Sequence, residues 1–330
     1  MTKSPEKIDP GRAFDILSNG KWCIVLHAHA DQDCLGSAHA LQAVLGHPVW
    51  APQGLDRGAN VLREVIGTEI TDEILKDGKT SLVLLDTPRM DVIQVGEWGK
   101  IMIIDHHPVH ETEADFLLND ERFTSTAEIV FEMLQSRNIP PDRASAIGLL
   151  AGLISDTGRF RRGDQGTLMR AAALLHAASS DENREIRLEQ FLEIISVPKD
   201  DSERIAALKG LERMKHVRKG GIIIACTQVS SFEGGVASAM ISAGADVALV
   251  ASTRETSVRI TGRCNQRGLD AGVDLDRLFR EAAVTLGGGG GGHPGAAVFE
   301  SSGDAEALLN MLTEMVMERL HPPRASSVPV

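Results

Sequence analysis

Three apolar runs in the first half of the chain each end in a residue able to bind a metal or move a proton. "WCIVLH" (22–27) ends in His27, "SLVLLD" (81–86) in Asp86 and "IMIID" (101–105) in Asp105, with His106 and His107 directly after. Acids and imidazoles are costly inside a core, so strand ends crowded with them mark a place where chemistry outweighs packing. The first run continues as "HAHADQDCLGS", which sets His27, His29, Asp31 and Asp33 within seven residues. Read as an extended loop, this stretch turns His27, Asp31 and Asp33 to one side. Asp156 ends the apolar segment "RASAIGLLAGLIS" (143–155) and adds a further carboxylate.

His27, Asp31, Asp33, Asp86, His106 and Asp156 together make four carboxylates and two imidazoles. Crowded without compensation, such acids repel one another and several stay protonated. Cations relieve the conflict, and a mixed nitrogen and oxygen donor set suits two divalent ions, manganese first, with magnesium or cobalt as substitutes. One bridging carboxylate would hold the ions about 3.5 to 4 Å apart, a spacing suited to in-line displacement at phosphorus. Each residue taken singly is more often a turn or cap, and it is their joint placement that points to metal. Glu128, within "STAE" (125–128), reads as a capping residue, and His39, His47, His110, His176 and His216 read as surface or packing histidines. His321 falls in the tail.

The elements that must position these groups follow from the pattern. Short apolar strands alternating with helices (34–45, 58–66, 143–155) predict an α/β domain with a parallel sheet and helices on both faces, which gathers ligands beyond the carboxyl ends of its strands. We expect this domain over 1–195, a helical linker over 196–216, a smaller α/β domain over 217–322 and a tail over 323–330, with the active site in the cleft between the domains. In the second domain "GIIIACTQV", "VALVAS" and "SVRITGRC" are strand-like, and a helix from about Asp274 to Thr285 precedes "GGGGGGHPGAA" (287–297). Bare backbone amides approach anions closely, so this run reads as an anion-binding loop rather than a linker. Arg259 or Arg263 could flank it. Arg159, beside Asp156 in "DTGRFRR", could hold phosphate oxygens, and Phe160 could stack on a base or simply fill the core.

Composition narrows the partners. The 330 residues are 42% hydrophobic and carry a formal net charge of −12, which disfavours wrapping long duplex nucleic acid yet allows a short anionic substrate beside bound cations. Four cysteines without paired spacing suit a reducing compartment, and no run approaches the roughly 18 apolar residues of a membrane span. The expectation is a cytoplasmic protein with no membrane contact, possible as a homodimer.

"HAHADQDCLGS", "LLDTP", "IIDHHP", "GLISDTGRF" and "GGGGGGHPGAA" resemble, in order, the motifs of the DHH phosphoesterases with their DHH-associated C-terminal domain, over residues 22 to about 300. The size is most similar to the short-oligonucleotide phosphodiesterases called nanoRNases, several of which also remove the 3′ phosphate of phosphoadenosine phosphate. The resemblance implies metal ligation by His27, Asp31, Asp33, Asp86, His106 and Asp156, with Asp86 bridging. It implies that His107 contacts substrate and assists the leaving group while Asp105 orients the site. Substrate would be bound by Arg263, by Gly289, Gly290, Gly291, Gly292 and His293, and by Arg159. The implied partners are short RNA or DNA oligonucleotides or phosphonucleotides. Related chemistries are a RecJ-like exonuclease, a linear or cyclic dinucleotide phosphodiesterase, an inorganic pyrophosphatase and a silent nucleotide-binding regulator. His29, Ala30 and Gln32 depart from the family's Asn, Pro and Gly, and Cys264 stands where serine often follows the arginine.

Overall fold

The computed structural model describes residues 4–72, 78–87, 98–108, 113–179, 186–198 and 200–320. The chain divides into two compact units, Met1–Val197 and Pro198–Val330. His110, His321 and the tail lie outside the described residues. No helix among those described is long and apolar enough to cross a membrane.

The first unit runs β1 (Glu6–Lys7), α1 (Pro10–Leu17), β2 (Trp22–Leu26), α2 (Gln32–Leu45), β3 (Val49–Trp50), α3 (Arg57–Ile66), β4 (Ile70–Thr71), β5 (Ser81–Leu85), β6 (Ile101–Asp105) and β7 (Phe116–Asn119). Four helices follow, α4 (Thr126–Gln135), α5 (Arg143–Asp156), α6 (Gln165–Ala178) and α7 (Leu188–Ile194). The seven strands form one sheet in the order β1-β7-β6-β5-β2-β3-β4, and every pairing is parallel. Alternation in β2 sends Trp22, Ile24 and Leu26 to the large cluster built with the helices, and Cys23 and Val25 to a smaller cluster with Trp50, Leu82 and Leu84 on the opposite face. Both faces of the sheet are therefore apolar, as a parallel sheet requires. Helices α2, α3, α5 and α6 each begin at an aspartate whose side chain accepts an amide of the first turn.

Helices α2 and α5 cross at a contact only glycine permits. A Cβ on Gly36 would lie 2.1 Å from the Gly148 carbonyl oxygen, and one on Gly152 would lie 2.6 Å from Asp33 Oδ1. Backbone meets backbone here, which draws the start of α2, carrying Asp33, towards the end of α5, carrying Asp156.

The second unit contains α8 (Asp201–Arg213), β8 (Lys215–Lys219), β9 (Ile222–Gln228), α9 (Glu233–Ser242), β10 (Val247–Thr253), β11 (Val258–Cys264), α10 (Gln266–Asp270), α11 (Leu275–Leu286), β12 (Gly289–His293), β13 (Ala296–Ser301) and α12 (Ala305–Arg319). Its six-stranded sheet has the order β12-β13-β11-β10-β9-β8, and only β9 and β10 pair in parallel. Strand β8 takes in Lys215 and His216, which the sequence pattern assigns to the linker. The core on one side of this sheet joins Ile260 and Phe299 to Phe279 and Leu312 from the helices. Burying each such side chain contributes roughly 1.5–3 kcal/mol.

The glycine run is the main departure from expectation: it is a strand and not a loop. Glycine is a poor strand former in general, but here α11 lies so close that a Cβ on Gly290 would sit 2.5 Å from the Phe279 carbonyl oxygen. The amide of Gly292 donates to Asp276 Oδ1 at 2.7 Å, so a carboxylate of the chain itself already holds one N–H that an anion-binding nest would offer.

Candidate metal centre

Five elements, β2, α2, β5, β6 and α5, bring the site together at the carboxyl edge of the first sheet. His27 follows β2 and sits half-buried, its Nδ1 3.0 Å from the Ala28 carbonyl, which assigns the hydrogen to Nδ1 and leaves Nε2 as the free donor atom. Asp31 and Asp33 do not lie on an extended loop. Asp31 is the cap of α2, its Oδ1 accepting from the amides of Asp33 and Cys34 at 2.9 and 3.1 Å, and Asp33 lies inside the first turn. The reason is the aspartate itself, a strong helix-capping residue that starts α2 before the extended run can continue. The turn still directs both carboxylates to the sheet edge.

Asp86 stands just past β5 in the left-handed region, with φ of 58°, a conformation costing roughly 1 kcal/mol that points to an over-determined site. Its two oxygens face different partners. Oδ2 is 3.5 Å from His27 Nε2, and Oδ1 is 3.5 Å from His106 Nε2 and accepts the Thr126 hydroxyl at 2.9 Å. His106 Nε2 is also 3.1 Å from Asp156 Oδ2 at the end of α5. Despite these neighbours, His106 Nε2 is buried with no hydrogen bond of acceptable geometry, as expected of an atom placed for a metal rather than for a proton.

Two donor sets emerge, His27 with Asp31 and Asp86, and Asp33 with His106 and Asp156, the atoms of each lying within 4.8 Å of one another. A third grouping of Asp86, His106 and His107 overlaps them. Asp86, with one oxygen turned to each set, has the geometry of a bridge. All six proposed ligands thus meet in space, and the donor chemistry fits two divalent cations.

The electrostatics agree. Complete burial pushes Asp33 well above the carboxylate range, and the charges of Asp86, Asp156 and Asp31 push it further, against the Ala127 amide. Asp86 is raised by burial first and by Asp31 and Asp156 after it, with His27 opposing. Burial works against a charge on His27, yet its hydrogen bonds to Asp31 and Asp86 outweigh it and raise the imidazole to about 10. Without cations the site is a store of protons.

Loading it must expel them. His27 ligates only when neutral, so below about 10 the apparent affinity for manganese is expected to climb with pH, by about tenfold per unit for this proton alone. Calorimetric titration in buffers of different ionisation enthalpy measures the protons released. Affinity independent of pH between 6.5 and 9 (the span from roughly the free-imidazole value towards the raised one) would contradict the assignment of His27.

Asp105 and His107 flank this centre. Asp105 is fully buried, and its Oδ1 accepts from both the backbone amide and Nδ1 of His107, at 3.1 and 2.9 Å. Asn119 fixes the turn by donating to the carbonyls of Asp105 and His107 at 2.9 and 2.7 Å. Bonding to Asp105 raises His107, against burial, to about 9, and half of its side chain is exposed. With the site free of cations, this favours the protonated imidazole at neutral pH.

His29 is exposed and belongs to none of the three groupings. Gly158, Arg159 and Phe160 are three consecutive left-handed residues immediately after α5. Arg159 is exposed and lines a cavity of about 340 Å³ with Gln32, Ser155 and Leu192, whereas Phe160 packs against the core. In the second unit Arg263 pairs with Ala296 of β13, and Ala296 pairs with His293 of β12, so Arg263 and His293 stand in one row on the same face. Arg259 lies on that face opposite Glu300.

Sequence reasoning missed Thr126, Ala127 and Asn119. The amides of Thr126 and Ala127 donate to Asp33 Oδ2 and Oδ1 at 2.7 and 2.8 Å, so the N-terminus of α4 holds a site carboxylate. "STAE" carried the signal, because a helix start marks free amides. The box is also altered: Ser125 caps Glu128, but Glu128 Oε2 accepts from Thr124 rather than from Ser125. Replacing Thr126 with valine keeps its amide but removes the hydroxyl from Asp86, and metal affinity is expected to fall about ten- to hundredfold by titration.

A parallel sheet that collects acids and imidazoles at its carboxyl edge could hold divalent cations of the kind that assist displacement at phosphorus. Residues 21–153 match the DHH family, N-terminal domain, and residues 226–318 match the DHHA1 domain. The chain belongs to the DHH phosphoesterases that carry a DHHA1 domain, and it is a hydrolase of phosphate esters. An uncharacterized protein of Methanocaldococcus jannaschii is 27% identical over 327 residues, covering 93% of this chain and 96% of that protein. The probable bifunctional oligoribonuclease and PAP phosphatase NrnA of Streptococcus mutans is 30% identical over 144 residues, which are 42% of this chain and 46% of that protein. The crystal structure of an exopolyphosphatase-related protein from Bacteroides fragilis shares the fold, with a TM-score of 0.72 at 18% identity over 94% of this chain and 95% of its own.

Proposed function

We propose that the chain hydrolyses short oligonucleotides to nucleoside 5′-monophosphates and removes the 3′ phosphate of 3′-phosphoadenosine 5′-phosphate, with two manganese ions as cofactor. The observation that carries this reading is the pair of donor sets joined by Asp86, with His106 Nε2 left unbonded between them. The partial likeness to NrnA supports the substrate class.

His27, Asp31 and Asp86 would hold one ion, and Asp33, His106 and Asp156 the other, with Asp86 shared. When bound, the cations supply charge to polarise phosphoryl oxygens and lower the pKa of water. His107, protonated and held by Asp105, donates its proton to the departing oxygen. Arg263 has no salt-bridge or hydrogen-bond partner among the described residues and, with His293 beside it, is suited to grip a phosphate of the substrate. Arg159 would hold a phosphate near the metals. The negative balance of the chain disfavours long strands, which depend on many cationic contacts.

The test is turnover with manganese on an RNA dimer, a long single strand, 3′-phosphoadenosine 5′-phosphate, a cyclic dinucleotide and pyrophosphate. The dimer and the phosphonucleotide should be cleaved fastest. Preference for the long strand or for pyrophosphate would overturn the substrate assignment. Arg263→Ala is expected to raise KM for the dimer about tenfold while leaving kcat within about twofold, because a substrate anchor acts on binding.

A further inference from the structure

A second cavity lies wholly within the second unit, on the β8 side of its sheet. Its wall runs from Cys226, which pairs with Leu249 of β10, to Thr253, four residues further along β10, and β10 stands between it and Arg263 of β11. The cavity measures about 470 Å³, large enough for a small organic ligand.

It opens where β8 stops short of β9. The ladder between β8 and β9 stops at the pair Lys215 and Cys226, and β9 runs on through Thr227 and Gln228 with no strand paired on that side among the described residues. Its other side remains paired with β10, through Gln228 and Ala251 and then the Val229 amide to the Ala251 carbonyl at 2.9 Å. A notch one strand wide is thus left open at the sheet edge, walled by the end of α8 and the start of α12.

The wall is polar and carries surplus positive charge. Lys215 Nζ is 2.8 Å from Glu306 Oε1, which balances that pair. Arg213 has no hydrogen-bond or salt-bridge partner among the described residues and contributes the excess cation. Thr227 is only 4% exposed, yet its hydroxyl has no hydrogen-bond partner. A buried hydroxyl left unpaired costs about 1–3 kcal/mol; Thr227 faces the α9 side of β9, opposite to Cys226 and Gln228, so an occupant would have to reach through the open edge to bond to it. Asn310 offers a further amide, Gln228 a side-chain carbonyl while its Nε2 donates to Thr253 Oγ1 at 3.0 Å, and Leu309 an apolar surface. Burial raises the Cys226 thiol above its usual range, so it lines the wall as a neutral group and not as a nucleophile.

We propose that this cavity binds a small anionic metabolite bearing a phosphate or carboxylate, its charge held by Arg213 beside Lys215 and its polar body by Thr227, Gln228 and Asn310. None of its lining residues belongs to the candidate metal centre, and binding there is expected without cations.

Calorimetry on the full chain in the absence of divalent metal tests this with three probes: inorganic phosphate, AMP and succinate. At least one should bind, and Arg213→Ala should weaken it tenfold or more, Thr227→Val severalfold, while Arg263→Ala leaves it within twofold. Preference for phosphate or AMP over succinate assigns the phosphate source, and the reverse assigns the carboxylate. Thr227→Val preserves side-chain shape, and thermal melts of each variant establish that the fold is retained. The proposal is overturned if none of the probes binds below about 10 mM, weaker than specific recognition usually runs. It is equally overturned if Arg263→Ala removes the binding and Arg213→Ala does not.

Discussion

Asp86→Ala is expected to lower turnover by at least about 10³-fold, equivalent to about 4 kcal/mol of transition-state stabilisation. The magnitude follows from position. Asp86 turns one carboxylate oxygen to His27 and the other to His106, so its loss would take a donor from the first set and the shared oxygen that faces the second. The variant should also bind fewer than two manganese ions per chain by metal analysis. Thr126 would lose its acceptor, but Asp33 keeps both amides of α4, so the fold should survive. Full occupancy by two ions with ordinary kcat would refute the bridging role.

Gly36→Ala should be the most damaging small substitution outside the ligands. Its Cβ would lie 2.1 Å from the Gly148 carbonyl oxygen, a contact with rigid backbone that no rotamer relieves. Helix α2 must move off α5, at a cost of about 3 kcal/mol and a fall in Tm of roughly 10 °C. Because Asp33 lies on α2 and Asp156 on α5, the same shift separates two members of one donor set and weakens metal binding. Gly148→Ala is the control. There the nearest atom would be Gly36 Cα at 3.1 Å, and a cost of about 1 kcal/mol is expected. Denaturant titrations of the two variants measure the difference, and equal losses would mean that the crossing is not set at Gly36.

Most of the candidate site was legible in the sequence, because apolar strands ending in His27, Asp86 and Asp105 advertise a parallel sheet whose carboxyl edge is polar. The grouping of these side chains holds despite an incorrect local geometry. Asp31 and Asp33 were read on an extended loop, but both that loop and the actual helix start send the carboxylates to the same edge. What stayed hidden depends on tertiary contact. Gly36, Gly148 and Gly152 weaken helices by propensity, and only the crossing of α2 over α5 explains them. The glycine run misled for a similar reason, since the pressure of α11 on β12 has no local signature. Thr126 was visible as a helix start, but its bond to Asp86 spans 40 positions.

The bond between Asp33 and the amides of Thr126 and Ala127 ties the state of the metal centre to the rigidity of a neighbouring helix. A carboxylate that changes partner when cations enter or leave alters the anchoring of α4, whose Ile129, Val130 and Met133 are fully buried in the first unit. Chelation would thus reach beyond the chemistry: protein stripped of its ions should exchange the amide hydrogens of that first turn faster, giving occupancy a readout that needs no substrate.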